Sequence, residues 1–202
     1  MDWLVKLRQA KLIGVVRHHQ QSQALTIARA IAAGGIKFLE ITWNTAGAAE
    51  LTTQLRSELP HCLVGAGTIL NPSMANQAIA SGAQYIFTPH VQAEIIQLGQ
   101  QAQIPVVCGA MTPTEIITAW NLGATAVKVF PIKCLGGAKY LECLQPVIPH
   151  IPLIPTGGIN LSNGLDLIHT GAIALGISSS LSTGDPEAQA LAWVKLVTTV
   201  AP

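Results

Sequence analysis

Short β-branched runs recur along the 202-residue chain at an almost even interval: LIGVVR (12–17), FLEIT (38–42), LVGAG (63–67), YIFTP (85–89), PVVCGA (105–110), AVKVFP (126–131), PLIPTGG (152–158) and IALGIS (173–178). Each returns after 20 to 26 residues. Alanine- and leucine-rich stretches with helical spacing lie between them, such as QSQALTIARAIAAGG (21–35) and NPSMANQAIASGA (71–83). These start at polar cap residues and stop at glycine. About eight strand-then-helix units, with no linker and no low-complexity segment, predict an α/β fold. A closed (β/α)8 TIM barrel fits them better than an open doubly wound sheet, as one domain over residues 1–202. The residues before LIGVVR are expected to form a helix covering the barrel bottom.

Half of the residues are hydrophobic and the mean hydropathy is +0.44. No uninterrupted apolar stretch approaches the roughly 20 residues a bilayer span requires, so a soluble protein without a membrane partner is expected. The apolar surplus is assigned to a sheet buried on both faces, to the helices over it and to a contact between subunits, which predicts a homo-oligomer. A formal net charge of +1, with four arginines and no basic run, gives no footprint for nucleic acid. The N-terminus lacks the pattern of a secretory signal, so the expected location is cytoplasmic. Cys62, Cys108, Cys134 and Cys143 form no C-x-x-C pair and read as reduced, mostly buried thiols.

A barrel concentrates function at the C-terminal ends of its strands. Candidates there are Arg17, Glu40, Thr42, Asn44, Thr68, Thr88, Pro89, Met111, Thr112, Lys128, Phe130, Gly157, Gly158 and Ser178 to Ser180. His18 and His19 end the first run, but adjacent strand residues point to opposite faces, and no further ligand has a supporting spacing, so no metal is expected. His90 reads as a loop histidine on the active face. Lys133 and Lys139 read as surface charges.

Two ionisable side chains interrupt apolar runs: Glu40 in FLEIT and Lys128 in AVKVF. Alternation sends Phe38, Glu40 and Thr42 to one face, and Ala126, Lys128 and Phe130 to one face. If both faces point into the barrel, carboxylate and amine approach each other. One reading is a buried ion pair, which is weak evidence for stability. The other is a Schiff-base lysine with a proton-transferring glutamate. Desolvation lowers the lysine pKa and the nearby carboxylate raises it, and the sequence leaves the balance open.

The segments GGIKFLEITWNT (34–45), VGAGTILNP (64–72), FTP (87–89), VKVFP (127–131), PTGGI (155–159) and GISSSL (176–181) resemble, in order and over nearly the full chain, the 2-keto-3-deoxy-6-phosphogluconate / 4-hydroxy-2-oxoglutarate aldolase family. The resemblance implies a class I aldolase on a (β/α)8 barrel, acting on a small 2-keto acid without a cofactor and assembling as a homotrimer. It makes Lys128 the Schiff-base lysine and Glu40 the general acid/base. Thr68 would help hold the pyruvate carboxylate, Pro89 and Phe130 would shape the pyruvyl pocket, and Gly157, Gly158 and Ser179 would bind the substrate phosphate.

Two departures from the family pattern stand out. Where the phosphogluconate branch reads E-V-T-L-R-T, with a carboxylate-binding arginine, this chain reads EITWNT and places Asn44 there. The phosphogalactonate branch is similar to this chain at that place and carries an arginine at the end of the first strand, which makes Arg17 the candidate substitute. Ser178 replaces a glycine more usual in the phosphate loop. The implied reaction is reversible cleavage of 2-keto-3-deoxy-6-phosphogluconate to pyruvate and glyceraldehyde 3-phosphate, or of 4-hydroxy-2-oxoglutarate to pyruvate and glyoxylate, with oxaloacetate decarboxylation as a second activity. The alternatives are the phosphogalactonate epimer as substrate, a phosphate-binding barrel isomerase or synthase, and a non-catalytic small-molecule binder.

Overall fold

A computed structural model describes residues 2–199. Helix α1 (Trp3–Ala10) leads into eight parallel strands: β1 (Leu12–Val16), β2 (Phe38–Thr42), β3 (Leu63–Gly67), β4 (Ile86–Phe87), β5 (Val106–Ala110), β6 (Ala126–Val129), β7 (Leu153–Pro155) and β8 (Leu175–Ile177). The helices between them are α2 (Gln21–Ala33), α3 (Ala48–Glu58), α4 (Pro72–Ala80), α5 (Ala93–Gln101), α6 (Pro113–Asn121), α7 (Ala138–Leu144) and α8 (Gly164–His169). A one-turn α9 (Ser179–Ser182) and α10 (Pro186–Thr198) follow β8. Strands β1 to β7 pair in sequence order and β8 pairs with β1. A single parallel bridge, Thr156 to Gly176, draws the remaining seam together into a nearly closed barrel.

The alternation read from the sequence sorts the core into two clusters. Ile13, Phe38, Tyr85, Phe87, Val107, Ala126 and Ile154 fill the lower lumen. Leu12, Val16, Leu39, Ile41, Val127 and Val129 point outward, into the layer shared with the helices. Helix α1 closes the bottom as expected: Leu7 is buried in the lumen cluster, with Trp3, Leu4 and Ala10 packed against it. The Trp3 ring meets Phe38 edge-on at 5.9 Å and Tyr85 at 5.5 Å.

Several strands are shorter than the runs that announced them. The YIFTP run yields only Ile86–Phe87, because Thr88 turns its hydroxyl back to the His90 carbonyl and Pro89 has no N–H for a ladder. PLIPTGG stops at Pro155, where Gly157 and Gly158 enter positive φ (96° and 76°). The cysteines correct the expectation of mostly buried thiols, since Cys62 and Cys108 are buried whereas Cys134 and Cys143 are exposed. Burial pushes the Cys62 and Cys108 thiols up to about 11.

Candidate active site

Lys128 and Glu40 both point into the lumen above the apolar plug. In β6 the ladder places Lys128 opposite Gly109 on one side and Ile154 on the other. Its side chain is 6% exposed, and the ammonium lies 5.0 Å from the Phe130 ring centre and 5.8 Å from that of Phe87. Aromatic faces stabilise a cation modestly and hydrate it not at all. In β2, Glu40 is 1% exposed and its Oε1 has no hydrogen-bond partner.

Among the described residues no ion pair joins Glu40 to Lys128, so the buried salt bridge left open by the sequence does not form. A structural pair would offset the desolvation of both charges through direct contact. Here Glu40 Oε1 has no hydrogen-bond partner, and the Lys128 ammonium meets aromatic rings in place of a carboxylate. An amine so placed can attack a carbonyl carbon, and a carboxylate with an open oxygen can carry a proton.

Small residues on neighbouring strands make room for these groups. A β-carbon at Gly67 would overlap the Glu40 carboxylate, and one at Gly176 would overlap the Thr156 hydroxyl. Below Glu40, Tyr85 donates its hydroxyl to the Leu39 carbonyl at 2.7 Å. Burial, reinforced by the charge of Glu40, holds that phenol well above its ordinary range.

Arg17 lies one residue beyond β1, on the inward parity of Ile13 and Val15, and its Nη2 donates to Thr68 Oγ1 at 3.3 Å. Thr68 has φ 58°, a left-handed conformation costly for a β-branched residue. Thr42 donates to the Val16 carbonyl at 3.2 Å, tying the ends of β1 and β2 together. The turn closed by the Thr45 N–H to Thr42 carbonyl bond (2.8 Å) leaves Asn44 exposed at its tip, with no hydrogen bond of its own. Arg17 and Thr68 are thus joined by a hydrogen bond in which Asn44 takes no part.

On the far side, Pro89 lies with its carbonyl against Gly109, and the Phe130 ring packs beside Gly157. The Gly157 carbonyl accepts the Lys133 N–H at 3.2 Å, and that of Gly158 accepts the Asn163 side-chain amide at 3.1 Å. Ser179 opens α9 above β8. Lys133 is exposed, as expected, but its methylene stem rests on Gly158.

Sequence reasoning missed Thr156, whose buried Oγ1 has no partner. The signal was present, since the inward period of β7 continues from Ile154 to Thr156. His18 and His19 also differ from expectation: β1 ends at Val16, so strand alternation does not apply, and their rings stack at 4.4 Å while His18 Nδ1 accepts from the Gln20 N–H at 3.0 Å. Among the described residues no three His, Cys, Asp or Glu side chains gather as a metal site, and no helix is long and apolar enough to cross a membrane.

Comparison with known proteins matches residues 4–195 to the family model described as KDPG and KHG aldolase. The 2-dehydro-3-deoxy-phosphogluconate aldolase of Treponema pallidum is 34% identical over 185 residues, covering 89% of this chain and 88% of that protein. A native KDPGal structure superimposes with a TM-score of 0.87 at 28% identity, covering 93% of this chain and 94% of the other. KDPG aldolase from Legionella pneumophila, with pyruvate captured at low pH as a covalent carbinolamine intermediate, has a TM-score of 0.84 at 27% identity and covers 100% of this chain and 99% of its own.

Proposed function

Because this chain belongs to the KDPG and KHG aldolase family, and is therefore a lyase, we propose that it cleaves 2-keto-3-deoxy-6-phosphogluconate or 4-hydroxy-2-oxoglutarate through an imine on Lys128. The observation that carries this reading is the unpaired placement of Lys128 and Glu40 in one lumen. Membership of the family removes the isomerase, synthase and non-catalytic alternatives.

In the proposed cycle the neutral Lys128 amine adds to the C2 ketone, giving a carbinolamine that loses water to an iminium. Glu40, directly or through a water, takes the C4 hydroxyl proton. The C3–C4 bond breaks, its electron pair enters the iminium as an enamine, and the aldehyde leaves. Protonation at C3 and hydrolysis return pyruvate and the free lysine. Arg17 and Thr68 hold the C1 carboxylate, Pro89 and Phe130 wall the pyruvyl group, and Gly157, Gly158 and Ser179 receive the phosphate. Asn44 borders the carboxylate site from its turn. The same iminium supports decarboxylation of oxaloacetate.

A second reading, the phosphogalactonate epimer as substrate, is favoured by the Arg17–Thr68 contact beside an unengaged Asn44. We also propose a single-domain cytoplasmic enzyme working as a homotrimer. Half of the residues are hydrophobic, a surplus that a subunit contact would cover.

The test is incubation with pyruvate and borohydride, followed by peptide mapping. One reduced pyruvyl group on the peptide bearing Lys128 is expected, with turnover insensitive to chelators. Label on Lys133 instead, or active enzyme that cannot be labelled, rejects the mechanism.

A further inference from the structure

A cavity of about 810 Å³ opens at the end of the barrel opposite Lys128, where β1, β2 and β3 begin. Lys6, Lys11, Lys37 and His61 line it together with the amides of Gln9 and Gln84, and among the described residues no carboxylate lines it. Gln84 Oε1 accepts the Val64 N–H at 2.9 Å, so its terminal nitrogen remains to donate elsewhere. Among the described residues the side chains of Lys6, Lys37 and His61 make no hydrogen bond or ion pair.

Cations at the bottom of a barrel have an ordinary explanation, because helix C-termini gather there and their carbonyls favour positive charge. That explanation covers Lys11, which caps α1 at φ 59°. It does not cover the two remaining lysines, nor the His61 imidazole beside them. Lys6 lies before the last turn of α1, Lys37 lies beyond the Gly34 cap of α2, and His61 lies beyond the Leu59 cap of α3. Like charges around one concave surface repel each other, and they focus a field that an anion relieves.

We infer that this cavity binds a small phosphorylated anion at a site separate from Lys128. Ammonium groups act on phosphoryl oxygens as point charges, with amide donors completing the shell. The volume lies within the range of roughly 300–1,000 Å³ usual for small-molecule sites. Among the described residues the one large aromatic ring on the wall is Phe38, which is 2% exposed and committed to the lumen, so it offers no platform for a nucleobase. The chemistry therefore fits a sugar or polyol phosphate, and inorganic pyrophosphate is the probe.

Pyrophosphate is titrated into the full chain while backbone amides are followed by NMR, in the unmodified protein and in the Lys6→Gln/Lys37→Gln/His61→Gln variant. Saturable shifts at Lys37, Cys62 and Gln84 are expected, weakened at least about tenfold in the variant, as loss of charged donors requires. Pyruvate trapping on Lys128 should be equal in both, which reports folding and keeps this site independent of the proposed aldol chemistry. If the triple variant does not fold, Lys37→Gln alone carries the same comparison, since Lys37 is exposed. Shifts confined to Gly157, Gly158 and Ser179, equal affinity in the variant, or no saturable shift overturn the inference.

Discussion

The carboxylate of Glu40 lies across Gly67 of the next strand, in the space that a β-carbon at position 67 would occupy. The glycine is required by that contact, since its φ does not lie in the positive region. Gly67→Ala should therefore push the carboxylate from its position. A displacement of this kind costs about 10² in rate when it misplaces a reacting group. We expect kcat to fall on that order while borohydride trapping at Lys128 persists, and an unchanged kcat would show that Glu40 need not stand there.

Glu40→Gln separates chemistry from packing. The amide keeps the size of the side chain but cannot accept the proton, so kcat should drop by roughly 10²–10⁴ with imine trapping intact. The same substitution removes a buried charge that has no partner, which is costly to hold. Thermal stability should rise as activity falls. A variant that loses stability would show that Glu40 is balanced by a favourable contact in the folded protein.

The strand-to-helix rhythm made the barrel legible, because each β-branched run occupies a fixed place in it and α1 plugs the bottom. Lys128 and Glu40 were legible for a related reason: a charge on the inward parity of an apolar strand has few structural uses. The relationship between them was not, because alternation fixes a side chain's face but not the distance between two inward groups. Thr68 shows the same limit. Its φ of 58° and its contact with Arg17 both arise after β3 has ended, and a threonine in GAGT carries no mark of either. Thr156 lies one residue beyond β7, at the isolated bridge to Gly176, where the apolar run no longer marks an inward position.

The loop after β5 gives a pH-dependent prediction. Glu115 Oε2 accepts the N–H groups of Met111 and Thr112, each at 2.8 Å, and the Thr112 hydroxyl at 3.0 Å, forming a capping box at the start of α6. Those backbone donors, first Met111 and then Thr112, hold its carboxyl below the ordinary 4.5. A group whose pKa is lower in the folded state stabilises that state above its unfolded value, and the contribution disappears as pH falls through the folded one. The Tm difference between the unmodified protein and Glu115→Gln should be full near neutrality and close at pH below about 4.5. A gap of constant size down to pH 3 would assign the effect to packing.

Arg17 and Thr68 carry the last prediction. The carboxylate of a pyruvyl substrate needs a cationic partner in a dry site, and Asn44 supplies none. Arg29 is engaged with Glu58 at 2.8 Å, Arg56 bonds the Gly82 carbonyl, and Arg8 lies in α1, so Arg17 is the arginine available to the barrel mouth. Arg17→Ala should weaken every pyruvyl substrate alike, phosphorylated or not, by about ten- to a hundredfold in KM, the loss expected for a charged hydrogen bond of ~1.5–3 kcal/mol. Asn44→Arg in that background should recover part of it, because the turn after β2 opens on the same mouth. A loss confined to phosphorylated substrates would move Arg17 to the phosphate. Thr68→Gly distinguishes strain from contact: it relieves a left-handed threonine worth about 1–3 kcal/mol and should raise Tm, yet it removes the Oγ1 that holds the guanidinium and should raise KM. If Tm rises with KM unchanged, the Arg17–Thr68 contact does not position the carboxylate's partner, and Arg17 binds without it.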